Sequence, residues 1–365
     1  MTSVPTNALH IPPSDAVSTV RLIDSTSTIH IPTKLFMEPA IKGHEDLNCP
    51  AFSFLVTNST GDRHVLFDLG IRTDHKTNYP KHLSDRLSKI CTIEVEKDVA
   101  DILEESKDDS LPKPKDIESI IWSHHHFDHT GNPQKFPKHT SLVVGPGFKK
   151  GILPGYPADA ESPIPSEMWE DRELIEIDMK DAKRGNIKIG DFDGFDYFGD
   201  QSFYLLYTPG HAPGHIAGLA RVTPSTFVFM GGDAAHHGGE IRPNEFRSLP
   251  ETVQVPSSKH FSQTSCPCSI LENLQPEDKG KSKPFYDPTE GLCENKEDAL
   301  STLRGIGKLD STEDVFIILA HDRTLRGHLP QFPNKINDWK ELDLANKYRW
   351  TFIDDFSQAI DEHAK

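Results

Sequence analysis

An apolar segment at residues 117–122 runs directly into four potential metal ligands, and this junction constrains the fold more than any other feature of the chain. The segment has the composition of a buried strand. It is followed by His124, His126, Asp128 and His129. Alternate residues of an extended chain point to the same side, so the first two ligands can converge on one ion while His125 points away. The last two lie a turn further on and can serve a second ion, so the sequence predicts a strand that ends at a two-metal site.

Four ligands cannot complete two catalytic metal shells, because each ion needs several protein donors besides an open position for water. Three later apolar segments, at 203–207, 226–230 and 315–319, each end close to a further candidate donor. These donors are His211, Asp233 and His321. A histidine-rich tract that binds metal adventitiously would have no such partners. The chain therefore offers seven predicted ligands for two ions.

The pattern of apolar segments predicts an α/β sandwich, in which two sheets pack together and helices cover them. Segments 51–57 and 64–68 flank the turn residues 58–62 and predict a β-hairpin. The first strand-rich half is predicted to end near residue 145. We expect residues 1–48 to be an N-terminal extension and 49–335 to be the catalytic domain. Residues 248–291 are predicted to be an insertion, either a lid or a dimer contact, and 336–365 a helical tail.

Composition excludes several classes of partner. The 365 residues include 39 basic and 56 acidic side chains, and the resulting net charge of -17 repels a phosphate backbone and an anionic membrane surface. No apolar stretch approaches the roughly 18 residues that cross a bilayer, and five scattered cysteines do not suggest a secreted disulfide framework. We therefore expect a cytoplasmic protein without nucleic-acid or membrane partners; a homodimer is one open option.

The ligand set and the sequence segments around it resemble those of a known protein family. The spacing His124-x-His126-x-Asp128-His129, the segment 205–215 (LLYTPGHAPGH) and the segment 317–322 (IILAHD) resemble the metallo-β-lactamase superfamily, and most closely its N-acyl homoserine lactonase branch. The resemblance implies an αββα fold. It assigns His124, His126 and His211 to one metal, Asp128, His129 and His321 to the other, and Asp233 to the bridge between them. Two zinc ions are expected, with manganese, cobalt or iron as alternatives.

The resemblance also implies the reaction. A hydroxide that bridges the two metals would open a lactone or lactam ring, and Asp128 is the expected proton shuttle to the leaving group. The lactonases usually place a substrate-binding tyrosine three residues after the bridging aspartate, where this chain has His236. We therefore predict that His236 takes over this contact. The resemblance implies that His215 is not a ligand, and Asp68 is either a carboxylate that orients a ligand histidine or a turn cap.

Three other functions were weighed against ring opening. A thioester hydrolase of the glyoxalase II type shares the ligand set, but it calls for a basic glutathione-binding segment that the lysines and arginine near residues 335–349 do not clearly form. A nuclease of the same superfamily needs a basic clamp, which the acidic charge balance disfavours. A non-catalytic binding module usually loses ligands, whereas all seven are present here. A metal-dependent hydrolase is therefore the prediction, with the thioester hydrolase as the alternative.

Overall fold

The computed structural model describes residues 6–275 and 280–364. The first five positions, 276–279 and 365 lie outside the described residues, so these parts of the predicted extension, insertion and tail are left aside. Within the described ranges, no helix combines the length and the apolar character needed to cross a lipid bilayer.

The strands of the described part are β1 (Thr19–Pro32), β2 (Met37–Glu38), β3 (Asp46–Thr57), β4 (His64–Phe67), β5 (Thr92–Glu94), β6 (Ser119–Ile121), β7 (Ser141–Val144), β8 (Leu174–Glu176), β9 (Ile187–Ile189), β10 (Phe192–Asp196), β11 (Phe203–Tyr207), β12 (Ile216–Thr223), β13 (Thr226–Met230), β14 (Thr252–Val253), β15 (Cys266–Pro267), β16 (Asp287–Pro288) and β17 (Val315–Ile318). The α-helices there are α1 (His75–Asn78), α2 (Lys81–Ile90), α3 (Val99–Glu104), α4 (Phe127–Thr130), α5 (Phe148–Ile152), α6 (Glu167–Glu170), α7 (Cys268–Glu272), α8 (Lys296–Asp310), α9 (Leu344–Tyr348) and α10 (Ser357–His363). Short 3-10 helices lie at Thr6–Leu9, Thr33–Leu35, Pro114–Asp116, Pro133–Lys135, Gly238–Glu240, Gly280–Ser282, Arg323–Leu325 and Thr351–Phe356.

Two large sheets form the centre of the molecule, as the sequence predicts. The first has the strand order β5-β1-β3-β4-β6-β7-β8, and the second has the order β17-β13-β12-β11-β10-β9. Their facing sides share one buried apolar core, to which Phe54 and Phe67 contribute from the first sheet and Phe203 and Met230 from the second. Burial of this continuous apolar surface is what holds the sheets together.

Helices cover the outer face of each sheet, which completes an αββα sandwich. Leu103 of α3 and Phe148 of α5 pack with buried residues of the first sheet. Leu303, Ile306 and Leu309 of α8 follow helical spacing and pack on the second sheet. The predicted fold class is therefore confirmed, and so is the hairpin, which β3 and β4 form as an antiparallel pair.

Two sequence expectations about borders differ from the structure, and one helix was not predicted. The first sheet does not end near residue 145, because β8 pairs in parallel with β7 and extends the sheet to Glu176. The predicted N-terminal extension contains the long strand β1, which pairs with both β3 and β5 inside the first sheet. Much of the predicted N-terminal extension is thus part of the sandwich. The helix α2, which the sequence analysis missed, carries Leu83, Leu87 and Ile90 at helical spacing.

The segments outside the sandwich meet in a core of their own. Buried side chains from the N-terminal region (Met37, Ile41), from the predicted insertion (Cys266, Leu271, Phe285) and from the C-terminal tail (Phe352, Phe356) belong to one apolar cluster. The tail also reaches the sandwich, where the ring of Trp339 stacks on Phe316. We call this second core the cap core; it lies beside the metal-ligand candidates described next.

Candidate metal centre and adjoining pocket

The structure brings all seven predicted ligands together in two adjoining groups. One group consists of His124, His126, His211 and Asp233, and the other of Asp128, His129, Asp233 and His321; within each, the candidate donor atoms lie within 4.8 Å of one another. Asp233 belongs to both groups. Each ligand follows a strand end, with β6 leading to the histidine cluster, β11 to His211, β13 to Asp233 and β17 to His321. Buried apolar strands therefore place these polar side chains at one common edge.

Two glycines let the loops approach closely enough. Gly232, next to Asp233, has a positive φ of 52°, and a Cβ there would lie 2.8 Å from the Cβ of Ser123. Gly210, next to His211, has a φ of 123°, and a Cβ would meet the backbone of Ala299 at 2.2 Å. Residues that carry a side chain rarely adopt such backbone conformations, so glycine is required at both positions. The tight loops set the position of the ligands that follow them.

The first group presents neutral imidazole nitrogens to a common point. His211 Nε2 lies 3.2 Å from His124 Nε2 and 2.9 Å from His126 Nδ1. Burial, reinforced by the neighbouring imidazoles, lowers the pKa of each of these three histidines well below its ordinary value. Three uncharged rings with converging lone pairs, together with a carboxylate, are the donor set that a zinc-like cation prefers.

The second group contains buried carboxylates that call for a cation. His129 Nε2 and Asp233 Oδ1 lie 2.9 Å apart but lack hydrogen-bond geometry, so both atoms are buried without a hydrogen-bond partner. Burial raises the pKa of Asp128. Burial alone would lower the pKa of His129, but the surrounding carboxylates, Asp233 foremost, outweigh it and raise that pKa well above the ordinary value. The residues present therefore fit two divalent ions that share Asp233.

Asp68 orients histidines of both groups. Its Oδ2 accepts a hydrogen bond from His129 Nδ1 at 2.8 Å and one from the hydroxyl of Ser123 at 2.8 Å. The same hydroxyl accepts from His124 Nδ1 at 3.0 Å, and Asp68 Oδ1 accepts the Ser123 N–H at 2.7 Å. Each histidine is thereby held with its Nε2 free for a metal. Asp68 is buried at the end of β4 in a left-handed conformation with φ 59°, and its contact with the His129 ring agrees with the ligand-orienting reading.

Two further hydrogen-bond contacts hold ligand residues in position. His215 Nε2 accepts the backbone N–H of Asp233 at 3.1 Å, so its Nδ1 carries the proton and donates to Thr208 Oγ1 at 2.8 Å. Burial lowers the pKa of His215 to about 3, which keeps this ring neutral. His321 Nδ1 donates to the carbonyl of Pro50 at 2.6 Å. His215 stands outside both donor groups, in line with the expectation that it is not a ligand, and no sequence motif indicated the role of Thr208.

His236 lies beside the candidate metal ligands, and its ring is in contact with that of Phe36. Its Nε2 is 3.6 Å from Asp233 Oδ2, and neither ring nitrogen has a hydrogen-bond partner. The ring of Phe36 packs against it at 4.5 Å between centroids. The buried carboxylate of Glu240 accepts the backbone N–H groups of His236 at 2.6 Å and His237 at 3.1 Å, which holds this loop in place. Glu240 could not be predicted from the sequence, because a carboxylate that caps a loop has no distinctive motif.

A third group of potential donors lies close by but is already hydrogen-bonded. His237 Nδ1 accepts the N–H of Gly239 at 3.0 Å, so its Nε2 carries the proton and faces Asp355 Oδ2 at 3.2 Å. Asp355 also pairs with Arg323. His44 completes the group and contacts the hydroxyl of Tyr286 at 2.6 Å. Because the His237 ring has no free lone pair and a guanidinium already pairs with Asp355, this group is better suited to hold structure than to bind a metal.

An apolar pocket opens onto the ligand groups. The cavity measures about 220 Å³ and reaches Asp128, His126, His211, Asp233 and His321 at its base. Its walls are formed by apolar and aromatic side chains, namely Ile29, Ile31, Phe36, Tyr79, Leu83, Leu87, Ile90, Phe127, Ile164 and Leu292. Arg86 is the only lysine or arginine among the described residues that line it. A separate polar cavity of about 310 Å³ adjoins the ligands on the side of His44, His236 and Arg323.

Comparison with known proteins agrees with this geometry. The sequence profile of the Metallo-beta-lactamase superfamily matches residues 47–283. Gamma-lactamase FDB1 of Fusarium pseudograminearum is 38% identical over 96% of this chain and 86% of its own length. The cytochrome P450 monooxygenase mpaDE' of Penicillium brevicompactum is 40% identical over 97% of this chain, which spans only 39% of that relative's length.

Solved structures share the fold at low sequence identity. An N-acyl homoserine lactone hydrolase, solved with the product N-hexanoyl-L-homoserine at its catalytic metal center, superposes with a TM-score of 0.54 and 19% identity. The match covers 88% of this chain and 99% of that one. At this identity the likeness speaks for the αββα fold alone.

Proposed function

We propose that this chain, which belongs to the metallo-beta-lactamase superfamily, opens a small lactone or lactam ring by hydrolysis at a two-metal centre. The observation that carries the proposal is the meeting of seven donors, all buried except the half-buried His126, in two groups that share Asp233, at the base of an apolar pocket. The gamma-lactamase relative supports a cyclic amide, and a cyclic ester follows the same chemistry.

The seven donors form two sets, one for each metal ion, with Asp233 common to both. His124, His126, His211 and Asp233 would hold one ion; Asp128, His129, His321 and Asp233 would hold the other. Zinc is the metal we propose, because neutral imidazole and carboxylate donors suit it. When bound, the two ions supply a water deprotonated near neutral pH and Lewis acidity at the carbonyl oxygen.

The chain's own residues then govern binding and proton transfer. The apolar walls receive the body of the substrate and exclude bulk water from the base of the pocket. Water adds to the carbonyl carbon, the ring C–O or C–N bond breaks, and the leaving atom takes a proton. Asp128 is the proposed proton carrier, because it lines the pocket while belonging to the second donor group. The product is a hydroxy acid or an amino acid.

A thioester of glutathione fits the pocket less well. Glutathione carries two carboxylates, whereas the described pocket wall offers Arg86 as its one cation among apolar side chains. Transfer of two charged groups into such a surface without partners is costly. Ring opening therefore remains the function that the site supports best.

A hydrolysis screen with metal analysis tests the proposal. Zinc-loaded protein is expected to hydrolyse γ-lactones, γ-lactams or both faster than glutathione thioesters, and His126→Ala is expected to lower kcat/KM by at least about a hundredfold through loss of a donor. His139→Ala, at an exposed histidine away from the site, is the matched control. Equal rates in the His126→Ala and control variants, or a preference for the thioester, would contradict the proposal.

A further inference from the structure

Phe36 is held at the metal site by chain segments that lie outside the sandwich. Strand β2 pairs with β16, so that Met37 faces Pro288 and Glu38 faces Asp287. Thr289 donates its N–H to the carbonyl of Phe36 at 2.9 Å and its hydroxyl to that of Leu35 at 2.7 Å. These bonds fix the backbone of Phe36 between the N-terminal region and the predicted insertion.

The ring of Phe36 forms a partition. Phe36 lines the apolar pocket of about 220 Å³. Phe36 also lines a small cavity of about 20 Å³, together with His236, Glu240 and Cys293; His211, Asp233 and Leu292 line both cavities as well. His236 borders this small cavity and the polar cavity, but it is absent from the described lining of the apolar pocket. The ring of Phe36, 4.5 Å from that of His236, therefore separates the imidazole from the substrate pocket.

We infer that Phe36 is a specificity-determining residue that limits the size of the ring system admitted beside the metal site. The inference rests on the proposed function for the identity of the substrate, a lactone or lactam. A substrate with one aromatic ring can pack its face against Phe36, Tyr79 and Phe127, which line the same pocket. A larger fused ring system would contact the ring of Phe36, because this side chain closes off the small cavity from the apolar pocket. His236 contributes to the wall behind Phe36 in place of the substrate contact expected from its position in the sequence.

Removal of the partition tests this assignment. Phe36→Ala joins the small cavity to the apolar pocket, whereas Phe36→Leu keeps most of the volume of the wall and serves as the matched control. Binding of phenyl-substituted and naphthyl-substituted γ-butyrolactams to zinc-loaded protein is measured by calorimetry, and turnover and metal content are measured on the same samples. We expect Phe36→Ala to shift the ratio of Kd values by about tenfold toward the naphthyl ligand and Phe36→Leu to shift it by less than about threefold.

The two claims fail separately in this experiment. An unchanged Kd ratio in Phe36→Ala with full metal content overturns the role of Phe36, as does a failure of both lactams to bind to any of the three proteins. Binding with the expected shift but no turnover of either lactam, nor of the matching lactones, leaves Phe36 as the size filter of the pocket and contradicts the proposed reaction.

Discussion

At the scale of single residues, Asp68 links the two donor groups, because its carboxylate reaches His129 directly and His124 through Ser123. The network resembles the carboxylate and histidine pairs that commonly orient metal ligands. The position of Asp68 at a strand end could be predicted from the apolar segment 64–68. Whether its carboxylate caps a turn or orients a histidine could not be predicted from that segment. That choice depends on the residues that β6 brings alongside, which a local pattern does not contain.

The first prediction concerns this carboxylate. Asp68→Asn replaces an acceptor with an amide whose N–H₂ cannot accept from His129 Nδ1, so we expect zinc affinity to fall by about 10- to 100-fold. Competition with a chromogenic chelator measures the affinity without reliance on turnover. Asp109→Asn, at an exposed aspartate far from the ligand network, is the control. Affinity equal to that of the control would show that Asp68 does not orient the ligands.

At the scale of elements, the sequence predicted the buried strands well and the half-exposed elements poorly. Strands β11 and β13 have the predicted bounds, because central strands of a sandwich are continuous apolar runs. Helix α2 was missed, although its apolar residues recur at helical spacing and line the apolar pocket. Charged residues dominate its composition and mask the pattern. Most of β1 was not predicted, because its polar residues, such as Ser25 and Ser27, are buried by hydrogen bonds that only the folded chain supplies.

Helix α8 ends in an ion pair that makes stability depend on pH. Burial alone would raise the pKa of Asp310, but the guanidinium of Arg242, with bonds of 2.9 and 2.7 Å, outweighs it and lowers that pKa to about 2. Because the folded-state pKa lies below the ordinary value of about 3.8, the pair stabilises the fold fully above that value. The stabilisation is lost as the pH falls from about 4 through about 2.

The corresponding prediction uses Asp310→Asn. Removal of one partner of a buried pair leaves Arg242 without its counter-charge, so we expect the free energy of unfolding to fall by about 3 kcal/mol at pH 7. Urea unfolding of metal-free wild type and variant measures the difference at pH 7 and at pH 3, where it should be smaller. Asp191→Asn, at a partly exposed salt bridge to Lys308, is expected to cost less than about 1 kcal/mol. A difference that is the same at both pH values would contradict the assignment.

At the scale of the whole molecule, segments far apart in sequence complete the site. The N-terminal region, the predicted insertion and the C-terminal tail share the cap core. This core supports the paired strands that place Phe36 and Leu292 in the pocket wall. The seven donors could be predicted from the sequence because each follows a strand end and belongs to a recognisable sequence motif. It could not predict the pocket wall, since the contacts of Phe36 with His236 and Thr289 join residues 200 or more positions apart.

The central claim, that seven side chains form one two-metal centre through Asp233, is tested most directly by counting metal ions per chain. Protein dialysed against trace zinc and analysed by inductively coupled plasma mass spectrometry is expected to hold two zinc ions in the wild type. Asp233→Ala, which removes the donor common to both groups, is expected to hold fewer than one. A wild type with fewer than one ion per chain, or an Asp233→Ala variant that still holds two, would contradict the account.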